Sequence, residues 1–150
     1  MSTKEDKSNS LLIKNDENSI RINVIGQAYP SADNDWDESW LKSELEFNLG
    51  SFNGKIKTKV QRDNFTNFAK ELEEQYEMLL TNSSFNPREE TIRLNFKNQD
   101  KGIIKVEFII TDQFRLGHEL TGEFIIDQSY LPNILDQTRS IIKHYEESEN

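Results

Sequence analysis

Leu45-Glu46-Phe47-Asn48-Leu49-Gly50-Ser51-Phe52-Asn53-Gly54-Lys55-Ile56-Lys57-Thr58-Lys59-Val60 reads as an antiparallel hairpin. Leu45, Phe47 and Leu49 point to one side, while Glu44, Glu46 and Asn48 point to the other. After the glycines, Ile56, Thr58 and Val60 share a face opposite Lys55, Lys57 and Lys59. A period of two residues is that of a strand with one buried side. The apolar positions are odd-numbered before the turn and even-numbered after it, so facing partners must sum to a constant odd number. That register class sets the Glu44/Glu46 side against the lysines. Gly50, Gly54 and the Asn53-Gly54 pair are the expected turn.

Upstream, Ile20, Ile22 and Val24 alternate with Arg21 and Asn23 in a strand that ends at Gly26. Leu11-Leu12-Ile13 reads either as a short strand or as a flap. Downstream, Asp63 is the expected N-cap of a helix whose apolar stripe is Phe65, Phe68, Ala69, Leu72, Tyr76, Leu79 and Leu80. The helix stops before Asn82-Ser83-Ser84, and Pro87 closes the connection. Alternation returns at Ile92, Leu94 and Phe96, then at Ile104, Val106, Phe108 and Ile110, and again at Leu120, Phe124 and Ile126. A last helix is expected from Leu131, capped by Asp127 or Ser129, with Pro132 in its first turn and a stripe running to Tyr145. The order is β-β-β-α-β-β-β-α. Short connections favour an antiparallel sheet with both helices on one face, a two-layer α+β domain. Its expected bounds are residues 11–146, between a disordered tail over 1–10 and a frayed acidic end over 147–150.

A chain of 150 residues buries a core without metals or disulfides, and it contains no cysteine. Met1 to Ser10 shows no apolar leader segment, and no apolar run reaches membrane-spanning length. The expectation is a cytoplasmic, soluble protein. Its 27 acidic and 18 basic side chains give a net charge of −9. Such a field favours basic partners and disfavours nucleic acid and anionic lipid.

No catalytic constellation stands out. Asp33, Asp35 and Asp37 have the spacing that opens a calcium loop, but Glu38 occupies the position that requires glycine. His118, beside Arg115 and Glu119, has no nucleophile or metal partner marked in the sequence, and His144 lies at a helix end. Neither a metal nor a cofactor is expected, and the protein is read as a non-enzyme. Lys55, Lys57, Lys59 and Arg62 with Phe52 form a basic strand, read as the answer to Glu44 and Glu46 and as protection of a sheet edge.

Binding surfaces are the better candidates. Asp33, Asp35, Asp37 and Glu38 surround Trp36, and acids about an aromatic anchor suit a basic protein partner. Trp40, which leads into a strand, is expected to be buried. The second candidate is a sheet face interrupted by Ile103, Ile109 and Ile125, which is either a weak dimer contact or a surface covered by Leu11-Leu12-Ile13. On that alternative the chain is an accessory or structural domain that homodimerises; otherwise it is a monomer.

The order of short motifs resembles that of the WapI family of bacterial immunity proteins. Asp37-Glu38-Ser39-Trp40-Leu41 matches the family's Asp-x-Asn-Trp-Leu-like element, with Ser39 in place of Asn. Phe65-Thr66-Asn67-Phe68, Phe85-Asn86-Pro87-Arg88-Glu89, Lys101-Gly102 and Asp127-Gln128-Ser129-Tyr130-Leu131 match the elements that follow, over Val24 to Tyr145. The resemblance implies a cytosolic protein that binds and blocks the toxic C-terminal domain of a contact-dependent toxin, often a nuclease acting on RNA. It implies no catalytic residues and does not fix the contact residues, and it leaves Trp40 and Tyr130 as structural positions.

Overall fold

The computed structural model describes residues 9–30, 33–112 and 117–147. The hairpin forms in the expected register class: Leu45 faces Ile56, Glu44 faces Lys57 and Glu46 faces Lys55. The turn, however, is Gly50-Ser51, between β3 (Trp40–Leu49) and β4 (Phe52–Gln61). Asn53 and Gly54 lie inside β4, correcting the expected turn. Gly54 is required there by its cross-strand neighbour, since a Cβ would stand 2.8 Å from Cζ of Phe47. The Phe47 ring lies over the bare backbone, an arrangement in which an aromatic covers a strand glycine.

Two strands precede the hairpin: β1 (Ser10–Lys14) and β2 (Asn18–Gln27). Leu11 and Ile13 are completely buried, so the N-terminal segment is a strand of the core, and the turn after it meets the second half through Asn15 Nδ2, which donates to the Ile125 carbonyl at 3.0 Å. The pairing of β2 with β3 shifts between Val24 and Gly26, and the bulge leaves Ile25 60 % exposed. The four strands form an antiparallel meander in the order β1-β2-β3-β4. Helix α2 (Arg62–Tyr76) follows; α1 is the single helical turn Asp35–Glu38 before β3. The N-cap of α2 is Gln61, whose N–H donates to Asn64 Oδ1 at 2.7 Å. Asp63 is not the cap; it sits in the first turn, where its charge suits the helix dipole.

The second half repeats this plan. Strands β5 (Asn82–Phe85), β6 (Ile92–Asn98), β7 (Ile103–Thr111) and β8 (Glu119–Asp127) form a second antiparallel meander, and α3 (Leu131–Glu147) follows. The class is α+β as expected, with two four-stranded sheets where one sheet was anticipated. The extra strand, β5, is mostly polar and carries no alternation that sequence could reveal. Asp127 Oδ2 accepts the Ser129 N–H at 2.9 Å, which caps the 3-10 turn leading into α3; hydrogen bonding by the Ser129 hydroxyl, and then by its N–H, holds the Asp127 carboxyl below its usual range. Gly122 faces Phe108 as Gly54 faces Phe47, with a Cβ position 2.7 Å from the ring. Of the expected tails, residues 1–8 and 148–150 lie outside the described residues, as does much of the loop before Gly117.

Each helix crosses to the sheet of the other half. Phe65 and Phe68 of α2 pack on Phe85, and Phe68 also meets Phe96, at centroid distances of 5.2 to 5.6 Å. Gln137 of α3 reaches the edge strand β1, accepting the Leu12 N–H at 2.7 Å and donating to the Leu12 carbonyl at 3.2 Å. Glu71 of α2 does the corresponding work on β5, accepting the Ser84 N–H at 2.8 Å. Arg139 of α3 and Glu73 of α2 form an ion pair at 2.9 Å.

The buried stripe of α2 is Phe65, Phe68, Ala69, Leu72 and Gln75. Tyr76, Leu79 and Leu80 do not belong to it: Tyr76 closes the helix on its exposed side, and Leu79 and Leu80 lie beyond its end, both exposed. Gln75 is fully buried, and its amide donates to the Phe96 carbonyl at 3.0 Å and to Asn98 Oδ1 at 2.9 Å. Its Oε1 accepts from Ser83 Oγ at 2.6 Å. Gln75→Leu leaves the buried Ser83 hydroxyl and Phe96 carbonyl without the amide and should cost about 1–3 kcal/mol. Urea unfolding checks this; an unchanged midpoint would show that the amide is dispensable.

Candidate functional site

The acidic segment is built on a short capped turn. Asn34 Oδ1 accepts the Asp37 N–H at 2.8 Å, and Asn34 Nδ2 donates to Asp37 Oδ2 at 3.1 Å. Asn side chains favour helix starts because they satisfy such orphan donors. Ser39 Oγ donates to the Trp36 carbonyl at 2.7 Å and accepts from Gln61 Nε2 at 3.2 Å, while the Arg62 N–H donates to the Ser39 carbonyl at 2.9 Å. The turn is thereby pinned to the junction of β4 and α2. Ser39, standing where the resembling motif has Asn, is one of the residues that fasten it.

Asp33 is exposed, Asp37 and Glu38 are half-buried, and Trp36 is 53 % exposed. Asp35 lies in the same helical turn, and its side chain is outside the described residues. Trp36 meets Trp40 edge to face, with centroids 5.8 Å apart at 82°. The Arg88 guanidinium stands 5.2 Å from the centroid of the Trp36 ring. Trp40 is buried at 9 % exposure, as expected of the tryptophan that leads into a strand. The sequence marked Asp33 to Glu38 as a charged loop around an aromatic; it gave no sign that Arg88, from the far side of α2, would stack there.

The remaining candidates resolve differently. Lys59 does not serve the glutamates of β3: its Nζ donates to the Tyr29 hydroxyl at 3.1 Å, which raises its pKa. His118 Nδ1 lies 3.1 Å from Asp112 Oδ2, with 77 % of its side chain exposed, while Arg115 is outside the described residues. Among the described residues no cluster of three or more His, Cys, Asp or Glu could hold a metal. A depression of about 650 Å³ over the outer face of the first sheet is lined by Ser10, Ser19, Arg21, Asn23, Glu44 and Glu46 among others. The isoleucine face of the second sheet is crossed by the Lys97–Glu107 and Lys105–Glu107 ion pairs at 3.1 and 3.7 Å, and Ile125 is its one isoleucine that is largely exposed, at 54 %. No helix among the described residues is long and apolar enough to cross a membrane.

A family model of WapI-like immunity proteins matches residues 11–146. The chain belongs to the immunity protein WapI-like family. Membership implies an immunity protein against a toxin, and such families are in general non-enzymatic. No curated protein is similar enough in sequence to match. Among solved structures, one titled for Trypanosoma brucei MRP1/MRP2 aligns at a TM-score of 0.49 and 10 % identity, covering 91 % of this chain and 83 % of that one.

The WapI-like motifs fall mainly on residues that hold the fold. Phe65, Phe68, Phe85, Trp40 and Leu131 are in the core. Lys101 and Gly102 both have positive φ, 63° and 74°, in the turn before β7. Asp127 caps the entry to α3. Tyr130 departs from its expected structural role in being 42 % exposed. Trp40→Ala should cost about 3–5 kcal/mol, read by urea unfolding, because it empties a large buried site. Arg88→Ala should cost only about 0.5–1 kcal/mol, the size of an exposed cation–π contact. A larger loss in the same measurement would mean that Arg88 also supports the packing beneath it.

Proposed function

We propose that this chain protects its host by binding, one to one, the C-terminal toxic domain of a cognate toxin and occluding its working surface. The observation that carries the reading is the family match over nearly the whole described chain. The net charge of −9 favours a basic partner, as a nuclease domain that must bind RNA would be. An acidic inhibitor of this size competes by presenting the charge the nuclease cleft is built to accept. Opposite net charges also steer the encounter, with association reaching about 10⁸ M⁻¹s⁻¹ at low salt. The site of action is the cytoplasm, where an incoming nuclease meets its substrate.

The contact region we assign first is Asp33, Asp35, Trp36, Asp37 and Glu38. Its support is a capped turn that carries an exposed indole among carboxylates. Aromatic anchors flanked by charge dominate binding energy in interfaces of this kind. The Arg88 guanidinium over the ring means that the toxin meets Trp36 from its free side.

Calorimetric titration of the toxin domain with this protein, at low and at raised salt, tests the reading. Nanomolar one-to-one binding that weakens with salt is expected. Asp33→Lys combined with Asp37→Lys should weaken it by about tenfold or more while leaving the thermal midpoint nearly unchanged, since charges on a surface turn contribute little to stability. Absence of binding by the unaltered protein would sink the immunity reading; full affinity in the double variant would move the contact away from the turn.

A further inference from the structure

Helix α2 ends at Tyr76, and the chain then folds back over its own C-terminus. The Leu79 and Leu80 N–H groups both donate to the Glu74 carbonyl, at 2.8 and 3.2 Å, and the Met78 N–H donates to that of Gln75 at 3.1 Å. Met78 sits in the left-handed region, at φ 67°. Helix ends of this form ordinarily place glycine at the left-handed position, because a Cβ is strained there. Here the position carries a long apolar side chain that is 70 % exposed. Leu79 is 69 % exposed, Tyr76 47 % and Leu80 36 %. Gln128 Nε2 lies 3.9 Å from the Met78 sulfur, so the knuckle rests on the turn that enters α3.

The same helix end is crowded with acids. Glu73, Glu74 and Glu77 stand where the macrodipole already puts negative potential, and the last turn has no basic residue. Arg139 answers Glu73 at 2.9 Å; among the described residues no cation pairs with Glu74 or Glu77. Each of these choices works against the stability of the isolated chain: a strained methionine, exposed leucines, and carboxylates at the wrong helix end. The fold would be better served by glycine, polar residues and lysine. Protein surfaces that hold contiguous large apolar groups inside a ring of charge are interaction sites.

We propose that this knuckle is the apolar anchor of toxin binding, with Met78 and Leu79 entering a pocket on the basic toxin domain. The assignment rests on the immunity reading above. Charge identifies the occupant: a second copy of this chain would bring Glu74 and Glu77 against their own kind, and phosphates are repelled for the same reason. A basic protein surface satisfies both the carboxylates and the dipole. Helix α2 has 15 residues and so spans about 22 Å, with the acidic turn at one end and the knuckle at the other. Both ends fit within one interface of ordinary size, about 800 Å² on each partner.

The test uses the whole protein and the purified toxin domain encoded with it, comparing the unaltered chain with Met78→Gly, Leu79→Ser and the double variant. Met78→Gly should raise the thermal midpoint, because it relieves the left-handed residue, and still weaken binding by about tenfold. The double variant should lose about 100-fold without unfolding. If the unaltered chain binds and the double variant binds within about twofold of it, the anchor is overturned and the immunity reading stands. Should the unaltered chain fail to bind, both fall together. A concentration-dependent dimer of the unaltered chain, abolished in the double variant, would overturn the anchor by giving the knuckle to a second copy.

Discussion

A four-stranded meander has two open edges, and a row of unpaired N–H and C=O groups on an edge invites pairing with other chains. This protein seals one edge of each sheet with a side chain from the helix of the opposite half. The Gln137 amide offers Leu12 an acceptor and a donor together, replacing the missing neighbour strand. The Glu71 carboxylate takes the Ser84 N–H in the corresponding place on β5. The same exchange governs the core, where the phenylalanines of α2 are buried against the strands of the second sheet. Neither half can hide its apolar face without the helix of the other, so the repeated plan folds as one unit with a single core.

That constraint explains where the family motifs fall. Buried aromatics, a left-handed turn and a helix cap are the positions at which the crossed arrangement tolerates few alternatives. Residues of this kind preserve a scaffold; they do not choose a partner.

The charge of the chain is unevenly spent. The lysines of β4 stand across from the glutamates of β3, and Lys59 is occupied by Tyr29. Each end of α2 carries acids beside exposed apolar side chains, Trp36 near its start and Met78 and Leu79 beyond its last residue. An electrostatic field brings a basic partner close, and apolar side chains placed inside that field then hold it. On the proposed reading, long-range attraction and short-range grip are combined on the surface near one helix.

Alternation and helical spacing were enough to find the hairpin, its register class, the central strands of both sheets and both long helices, because burial of one face imposes a period on the residues of each element. Other features depend on contacts between distant residues. Asn53-Gly54 has the composition of a turn, yet Gly54 serves the Phe47 ring on the facing strand. Asn82–Phe85 has no strand pattern, since its buried Ser83 is satisfied by Gln75 and its edge by Glu71. Leu79 and Leu80 keep the spacing of the α2 stripe beyond the residue where the helix stops, and periodicity does not record the left-handed turn at Met78 that exposes them. The acidic turn was visible because charge and aromatic content are local properties. Arg88 over Trp36 and the apolar knuckle among the glutamates were not, because both arise where the chain folds back upon itself.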